Sequence, residues 1–481
     1  MADPLVEQDA VYEALQDVWT AAGPYLRSLP DRLVYDAATE PLLAELGGPL
    51  PEQGAGTVAA VRDLLRIGTA TATASAGPRF FHFVIGGSTP AALAADWTTS
   101  LLDQNACARA ASRFADETET VVIGWLRDLL GLPASWFGAL TASATFGNLT
   151  GLGCATHWWA EKHGVDVASA GLSGLPRMPV LSSGYLHPSA RKALQMLGHG
   201  KDTAEVFARD PVGRVDLSAL EARLAELDGA PAVLIGTVGE PNAGDSDPVE
   251  DLGKLAERYG AWLHLDGAFG VFAALSPATA HMVAGLERAD SVAADAHKWL
   301  NVPYESGFCL VREPERIGHA FGMPGAAYLP GPGDPRGGYM MLGPESSRRA
   351  RALPIWASLV AYGRDGLRAM VERHCELARH LAERVDAAPD LERLAEVPLN
   401  VVCLRYNPGG LAEADLDAVN RALGDALLDD GRVFAGTTVY GGRVALRPAI
   451  SNWRTTASDL DLFVDVVREL GAAAARARTT E

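Results

Sequence analysis

Apolar residues recur at helical spacing near the front of the chain. Val11, Leu15, Val18 and Ala22 follow a 4-3-4 rhythm, which predicts an amphipathic helix. Helix-rich patterning continues to about residue 130. Beyond it, short apolar runs alternate with helical patterns. The runs Pro179–Ser182, Ala232–Val238, Ala261–Leu265, Ser291–Ala294 and Gly307–Val311 read as buried strands, and Leu217–Leu227 and Val249–Tyr259 read as helices between them. Strands that are apolar along their whole length are covered on both faces. The pattern therefore predicts an α/β fold, with a mostly parallel central sheet clothed in helices.

Residues 322–344 break this rhythm, because twelve of these 23 positions are Gly or Pro. That density predicts a long loop without secondary structure, of the kind that serves as a lid. A helix over Pro354–Ala387 follows, bent near Gly363–Gly366. Then come a strand at Asn400–Tyr406, a helix at Glu413–Leu428, and strands at Val433–Tyr440 and Arg443–Ala449. Gly441-Gly442 between the last two is a hairpin signal. A closing helix starts at about Ser458. The expected organisation is an N-terminal helical segment (1–75), a large domain (76–355) and a smaller α+β C-terminal domain (356–481).

Composition narrows the function classes. The 481 residues are 48% hydrophobic, enough for a sizeable core. Basic side chains number 41 against 60 acidic ones, a net charge of −19. Such a chain repels nucleic acid and anionic lipid, so neither is an expected partner. No apolar run approaches the ~18 residues that would span a bilayer. The start, Met1-Ala2-Asp3, shows neither a basic nor an apolar leader region, so no secretory signal is expected. The five cysteines are scattered and form no CxxC pair, which fits free thiols in a reducing cytoplasm. No metal site is expected: His157 and His163, six apart, do not share a helix face. Gly147, Gly151 and Gly153 do not have dinucleotide-binding spacing.

The chemistry concentrates in His264-Leu265-Asp266-Gly267-Ala268 and Asp295-Ala296-His297-Lys298-Trp299. Asp266 ends one apolar strand and Lys298 follows another. Ligands of open α/β sheets gather beyond the carboxyl ends of strands, so a carboxylate and an amine can converge there. Pyridoxal phosphate needs this pair: an amine for its aldehyde and a carboxylate for its ring nitrogen. An isolated Asp and Lys at such spacing are more often unrelated, and the flanking residues decide the matter.

Those flanks resemble the group II pyridoxal-phosphate-dependent amino-acid decarboxylases (aromatic-amino-acid and glutamate decarboxylase-like) of the fold type I superfamily. The resemblance covers about residues 10–475. It implies Lys298 as the Schiff-base lysine, preceded by His297, with Asp266 as the pyridinium partner and Ala268 packed on the ring. In Thr141–Leu149 it implies a phosphate turn with Ala144 and Thr145 as contacts, although the family usually has two glycines where this chain has Ser143 and Ala144. In Gly184–Ser189 it implies that His187 stacks on the ring. Without the family match, His187 reads equally well as a cap for the following helix. In Thr237–Gly244 it implies that Asn242 lies near the cofactor, with Glu240 and Pro241 as departures. Asp247 reads as a helix cap.

Arg79–Phe83 resembles the family's substrate-side segment, which makes Phe81 and His82 substrate contacts. The continuation Val84-Ile85-Gly86-Gly87 departs from the aromatic subgroup. Leu446–Asn452 resembles a block whose arginine, here Arg447, binds the substrate α-carboxylate through its bidentate fork. Spacing alone also allows a solvated strand-edge arginine. The family's loop tyrosine, a proton donor, matches Tyr339, with Tyr328 as the rival. A homodimer is implied, with the site at the interface and the N-terminal helices wrapping the neighbour.

The resulting expectation is a decarboxylase of an L-amino acid or amino-acid conjugate, working through an external aldimine and a quinonoid. Oxidative deamination to an aldehyde, β-elimination and transamination are alternatives on the same scaffold. A cofactor-binding scaffold without activity is disfavoured, because Asp266, His297 and Lys298 are present together.

Overall fold

The computed structural model describes residues 3–323 and 338–480. A seven-stranded sheet forms the centre: β1 (Phe137–Thr141), β2 (Val180–Ser182), β3 (Ala204–Val206), β4 (Val233–Thr237), β5 (Trp262–Asp266), β6 (Ser291–Asp295) and β7 (Gly307–Val311). Their order is β1-β7-β6-β5-β4-β2-β3. Strand β7 runs against both of its neighbours, and the other pairings are parallel. A second, antiparallel sheet comprises β8 (Leu391–Arg393), β9 (Leu404–Tyr406), β10 (Thr437–Tyr440) and β11 (Arg443–Leu446), in the order β10-β11-β9-β8.

Helices α1 (Ala10–Ser28), α2 (Thr57–Thr71), α3 (Pro90–Leu102) and α4 (Arg113–Leu129) precede the large sheet. Between its strands come α5 (Ala144–Lys162), α6 (Val167–Ala170), α7 (Pro188–Met196), α8 (Leu217–Glu226) and α9 (Val249–Tyr259), and α10 (Glu315–Phe321) follows the last of them. The chain then continues through α11 (Ala352–Ala387), α12 (Glu413–Asp430) and α13 (Ala457–Thr480). Side chains alternate across the pleat, so each strand feeds two cores. Leu234, Leu263 and Leu265 join one, while Val233, Ile235 and Trp262 join the other with Trp159 of α5. A separate core around Leu404, Leu446 and Phe463 backs the small sheet. No described helix is long and apolar enough to cross a membrane.

The α/β architecture follows the hydrophobic pattern, and α11 bends where Gly363 leaves helical geometry, at φ +60° and ψ −173°. Three strands carry no clear signal in the sequence. Strand β1 (FGALT) is held by its pairing with β7; a Cβ at Gly138 would lie 1.8 Å from the Cys309 carbonyl oxygen, so only glycine allows the close pass. Strands β3 and β8 have three residues each. Two expectations are corrected. Asp247 does not cap α9; its buried carboxylate accepts from Thr237 N (2.8 Å) and Ser183 Oγ (2.8 Å), and burial raises its pKa to about 7. The Gly/Pro-rich stretch is not structureless throughout, because Gly338–Met341 forms a 3₁₀ turn with Tyr339 and Met340 buried. Tyr328 lies outside the described residues.

Candidate active site

Strands β4, β5 and β6 end side by side, with Thr237 opposite Asp266 and Asp266 opposite Ala293. The N-termini of α5 and α7 point at the same place. A cavity of about 190 Å³ lies there. Among the residues expected from the sequence, it is lined by Ala144 and Thr145 of α5, His187, Asp266 and Ala268, and Lys298 and Arg447.

The Lys298 amine lies 3.2 Å from Asp295 Oδ2. The other Asp295 oxygen accepts the Ala144 N–H at 2.5 Å, so this carboxylate ties the lysine to the start of α5. Sequence reasoning gave Asp295 no role, although it stands three positions before Lys298. His297 lies behind the lysine: its Nε2 is 3.5 Å from Asp295 and its Nδ1 accepts from Ser306 N. Burial lowers the His297 pKa. Gly86 presses on the lysine's own backbone, where a Cβ would come 1.8 Å from the Lys298 carbonyl oxygen.

Every polar partner of Asp266 is a donor. Oδ2 accepts from Asn148 Nδ2 (2.8 Å) and faces Ser189 Oγ (3.3 Å), and Oδ1 accepts from Ala268 N (3.2 Å). Hydrogen bonds to the charged form favour it, so the arrangement suits an anion. His187 lines the cavity and also caps α7, its Nδ1 accepting from Ser189 N at 3.2 Å. Burial lowers its pKa, which leaves a neutral, flat ring at the site.

Arg447 is partly buried, and desolvation lowers its pKa. Among the described residues its guanidinium makes one long hydrogen bond, to the Pro241 carbonyl oxygen at 3.4 Å. Five donors with so little satisfaction mark a place for an anionic group. Glu240 lies close by, but Asn242 N (2.9 Å), Ala243 N (2.8 Å) and the Asn242 side chain occupy its carboxylate.

Four expected residues stand elsewhere. Phe81 is buried in the core of the small sheet against Phe463, and its neighbours Phe83 and Val84 line the cavity instead. His82 packs behind them against Phe434, its pKa lowered to about 4 by burial and then by Arg447. Asn242 turns to Glu240 and to Thr438 Oγ1 (2.7 Å). Tyr339 is not brought to this cavity. Its hydroxyl lies 3.0 Å from Thr120 Oγ1, and its ring packs beside Phe137 and Arg348. Tyr339→Phe is therefore expected to lower stability by about 0.5–1.5 kcal/mol, the worth of one hydrogen bond, and to leave the product ratio unchanged. A diversion from amine to aldehyde, read by mass spectrometry, would restore the proton-donor role to this tyrosine.

The residues present fit pyridoxal phosphate. Lys298 offers an amine, Asp266 a carboxylate ringed by donors, and α5 a helix N-terminus suited to a phosphate. The description "pyridoxal-dependent decarboxylase conserved domain" matches residues 51–407. An aromatic-L-amino-acid decarboxylase of Bacillus atrophaeus is 29% identical over 80% of this chain and 79% of its own. An L-2,4-diaminobutyrate decarboxylase of Rhizobium meliloti (strain 1021) is 30% identical over 88% of this chain and 83% of its own. The Oryza sativa TDC solved with PLP and tryptamine shares the fold, with a TM-score of 0.88, 24% identity and coverage of 97% of this chain and 98% of that one. The chain belongs to the pyridoxal-dependent decarboxylase family and is a pyridoxal-phosphate-dependent carboxy-lyase of amino-acid metabolism.

Proposed function

We propose that this enzyme decarboxylates an L-amino acid with an uncharged, apolar side chain, and that it works as a homodimer. The observation that carries the substrate reading is Arg447, a partly buried and largely unsatisfied cation in the cavity wall. It takes the α-carboxylate. Beyond it, no charged lining side chain among the described residues is free to pair with a charged substrate tail. Asp266 and Asp295 are engaged, and so is nearby Glu240. Lys298 is the other lining cation, and the cofactor claims it. Phe83, Val84, Pro241 and Phe269 supply apolar wall. A distal ammonium or carboxylate would be desolvated there without a partner, which disfavours it by several kcal/mol, on the order of the cost of an unpaired buried charge.

Bound pyridoxal phosphate supplies the electron sink for loss of CO₂. The chain supplies the rest. Lys298 anchors the cofactor, the start of α5 holds its phosphate, and Asp266 keeps a proton on its ring nitrogen. Neutral His187 presents a flat face to the ring. Arg447 fixes the carboxylate and so sets which bond is aligned to break.

Purified enzyme given a panel of L-amino acids, with CO₂, amine, H₂O₂ and ammonia read separately, is expected to release CO₂ best from apolar and aromatic substrates. Preference for glutamate or 2,4-diaminobutyrate would overturn the substrate reading. Arg447→Leu is expected to raise KM about 10–100-fold, in line with loss of charge-assisted hydrogen bonds, with a smaller change in kcat. An unchanged KM would leave Arg447 without a part in substrate binding.

The dimer reading rests on apolar side chains that the single chain leaves in water. Tyr12 and Trp19 of α1 are 74% and 67% exposed, and Leu101 of α3 is 74% exposed. Trp125 and Trp356 stack on each other at 6.5 Å and remain partly exposed. So much apolar surface marks an interface, and a two-fold contact is the commonest kind. Light scattering is expected to give twice the 50.7 kDa chain mass. A fully active monomer would refute the dimer.

A further inference from the structure

Behind Asp266 a buried polar chain runs along β5, between the sheet and α5. Asn148 Nδ2 donates to Asp266 at 2.8 Å, and Asn148 Oδ1 lies 2.9 Å from His264 Nε2. His264 Nδ1 lies 2.8 Å from Ser291 Oγ, which accepts the Trp262 indole N–H at 3.1 Å. All five residues are buried, and Asn148, His264 and Ser291 are fully so. The fit is tight: a Cβ at Gly151 would lie 2.6 Å from His264 Nδ1, so a glycine on α5 makes room for the imidazole.

The two ends fix the direction of every hydrogen bond. A carboxylate only accepts, so the Asn148 amide must turn its NH₂ to Asp266 and its oxygen to His264. His264 Nε2 must then carry the ring proton. At the far end indole only donates, so Ser291 Oγ accepts from Trp262 and its own hydrogen is free for His264 Nδ1. Full burial lowers the His264 pKa to about 4, with the Asp266 charge opposing, so the ring is neutral and a single tautomer satisfies both ends.

We infer that Asn148 and His264 are positioning residues: with Ser291 and Trp262 they form a one-way hydrogen-bond chain that orients Asp266 towards the cofactor's ring nitrogen. Every donor in it points towards the carboxylate, and aligned bonds reinforce one another. A carboxylate stripped of this donor turns freely and is no longer held in the orientation that pairs with a protonated ring nitrogen. The inference rests on the assignment of Asp266 to the cofactor's ring, but its first test does not.

In ¹⁵N-histidine-labelled protein without added cofactor, the His264 signal is identified by its absence in His264→Gln. NMR is expected to show a proton on Nε2, a bare Nδ1 and no titration around neutral pH. A proton on Nδ1, or on both nitrogens, would overturn the inference whatever the cofactor does. The second test measures equilibrium retention of pyridoxal phosphate. Asn148→Leu and His264→Phe are expected to weaken it about 10–100-fold, the scale of a hydrogen bond to a charged group. His264→Gln, which keeps an N–H donor at similar reach, is expected to recover most of the loss. In an Asp266→Asn background the Asn148→Leu penalty should shrink to a few-fold at most, because coupled residues are not additive. Equal penalties in both backgrounds would show that Asn148 acts by packing alone, and so would a His264→Gln variant as weak as His264→Phe.

Discussion

Lys298→Ala is expected to purify colourless, without covalently held cofactor, and to lose about 10⁴-fold or more of its turnover. The sequence has five lysines: Lys162, Lys192, Lys201, Lys254 and Lys298. Lys298 is the one that lines the cavity. Lys254 pairs with Glu250 on the surface, and Lys162 lies over the Trp158 ring. Substitution therefore leaves no replacement amine at the site. It also leaves Asp295 in the wall without its cation, still bonded to Ala144 N. That residual anion beside the phosphate turn opposes non-covalent retention of the cofactor as well. Borohydride reduction of the wild-type enzyme, followed by peptide mapping, should place the label on Lys298. A label on any other lysine would sink the assignment.

The sequence makes the centre of this molecule legible because the strands beneath the site are buried on both faces. Helix α9 and strand β7 have the bounds that their patterns predict, and β4, β5 and β6 differ from theirs by a residue or so at an end. Such strands are apolar over most of their length, so their ends stand out, and Asp266 and Lys298 sit just at or beyond those ends. Strand β1 hides because Gly138 and Thr141 dilute its apolar run, and its place is set by β7.

Residues placed by tertiary contacts are harder to read. Phe80 and Phe81 behave as strand, bonded to the chain at Phe434 and Ala449, which carries Phe81 into the small-sheet core. The backbone then reverses through two left-handed residues, Phe83 and Val84, both at φ +58°. A β-branched residue rarely adopts that conformation, so no propensity argument would put Phe83 and Val84 on the cavity wall. Tyr339 shows the opposite error. The glycines around it say loop, yet contacts with Thr120, Phe137 and Arg348 bury it. Asn148 lay in plain view in the phosphate block. Its role depends on His264, more than a hundred positions away, and spacing cannot report that pairing.

Asp266→Asn should keep the fold and the covalent link to Lys298 while losing about 10²–10⁴-fold in kcat, the usual scale for a residue that controls a catalytic proton. The geometry explains why so small a change costs so much. Asn148 Nδ2 and Ala268 N present hydrogens to the native carboxylate, with Ser189 Oγ 3.3 Å away. An asparagine satisfies them with its one carbonyl oxygen, and Asn148 as the nearest donor claims it. The amide NH₂ must then face either the Ala268 N–H or the cofactor's ring nitrogen. Against Ala268 two donors oppose each other. Against the ring nitrogen a donor requires that nitrogen to give up its proton, and a neutral pyridine is a poor electron sink. Either outcome leaves binding partly intact and removes the feature on which turnover depends. Thermal melting should therefore stay close to wild type and the covalent link should still form, while non-covalent retention of the cofactor weakens and the loss of turnover falls on kcat rather than KM. Near-normal turnover in Asp266→Asn would mean that the carboxylate serves packing and that the ring nitrogen is protonated by some other group.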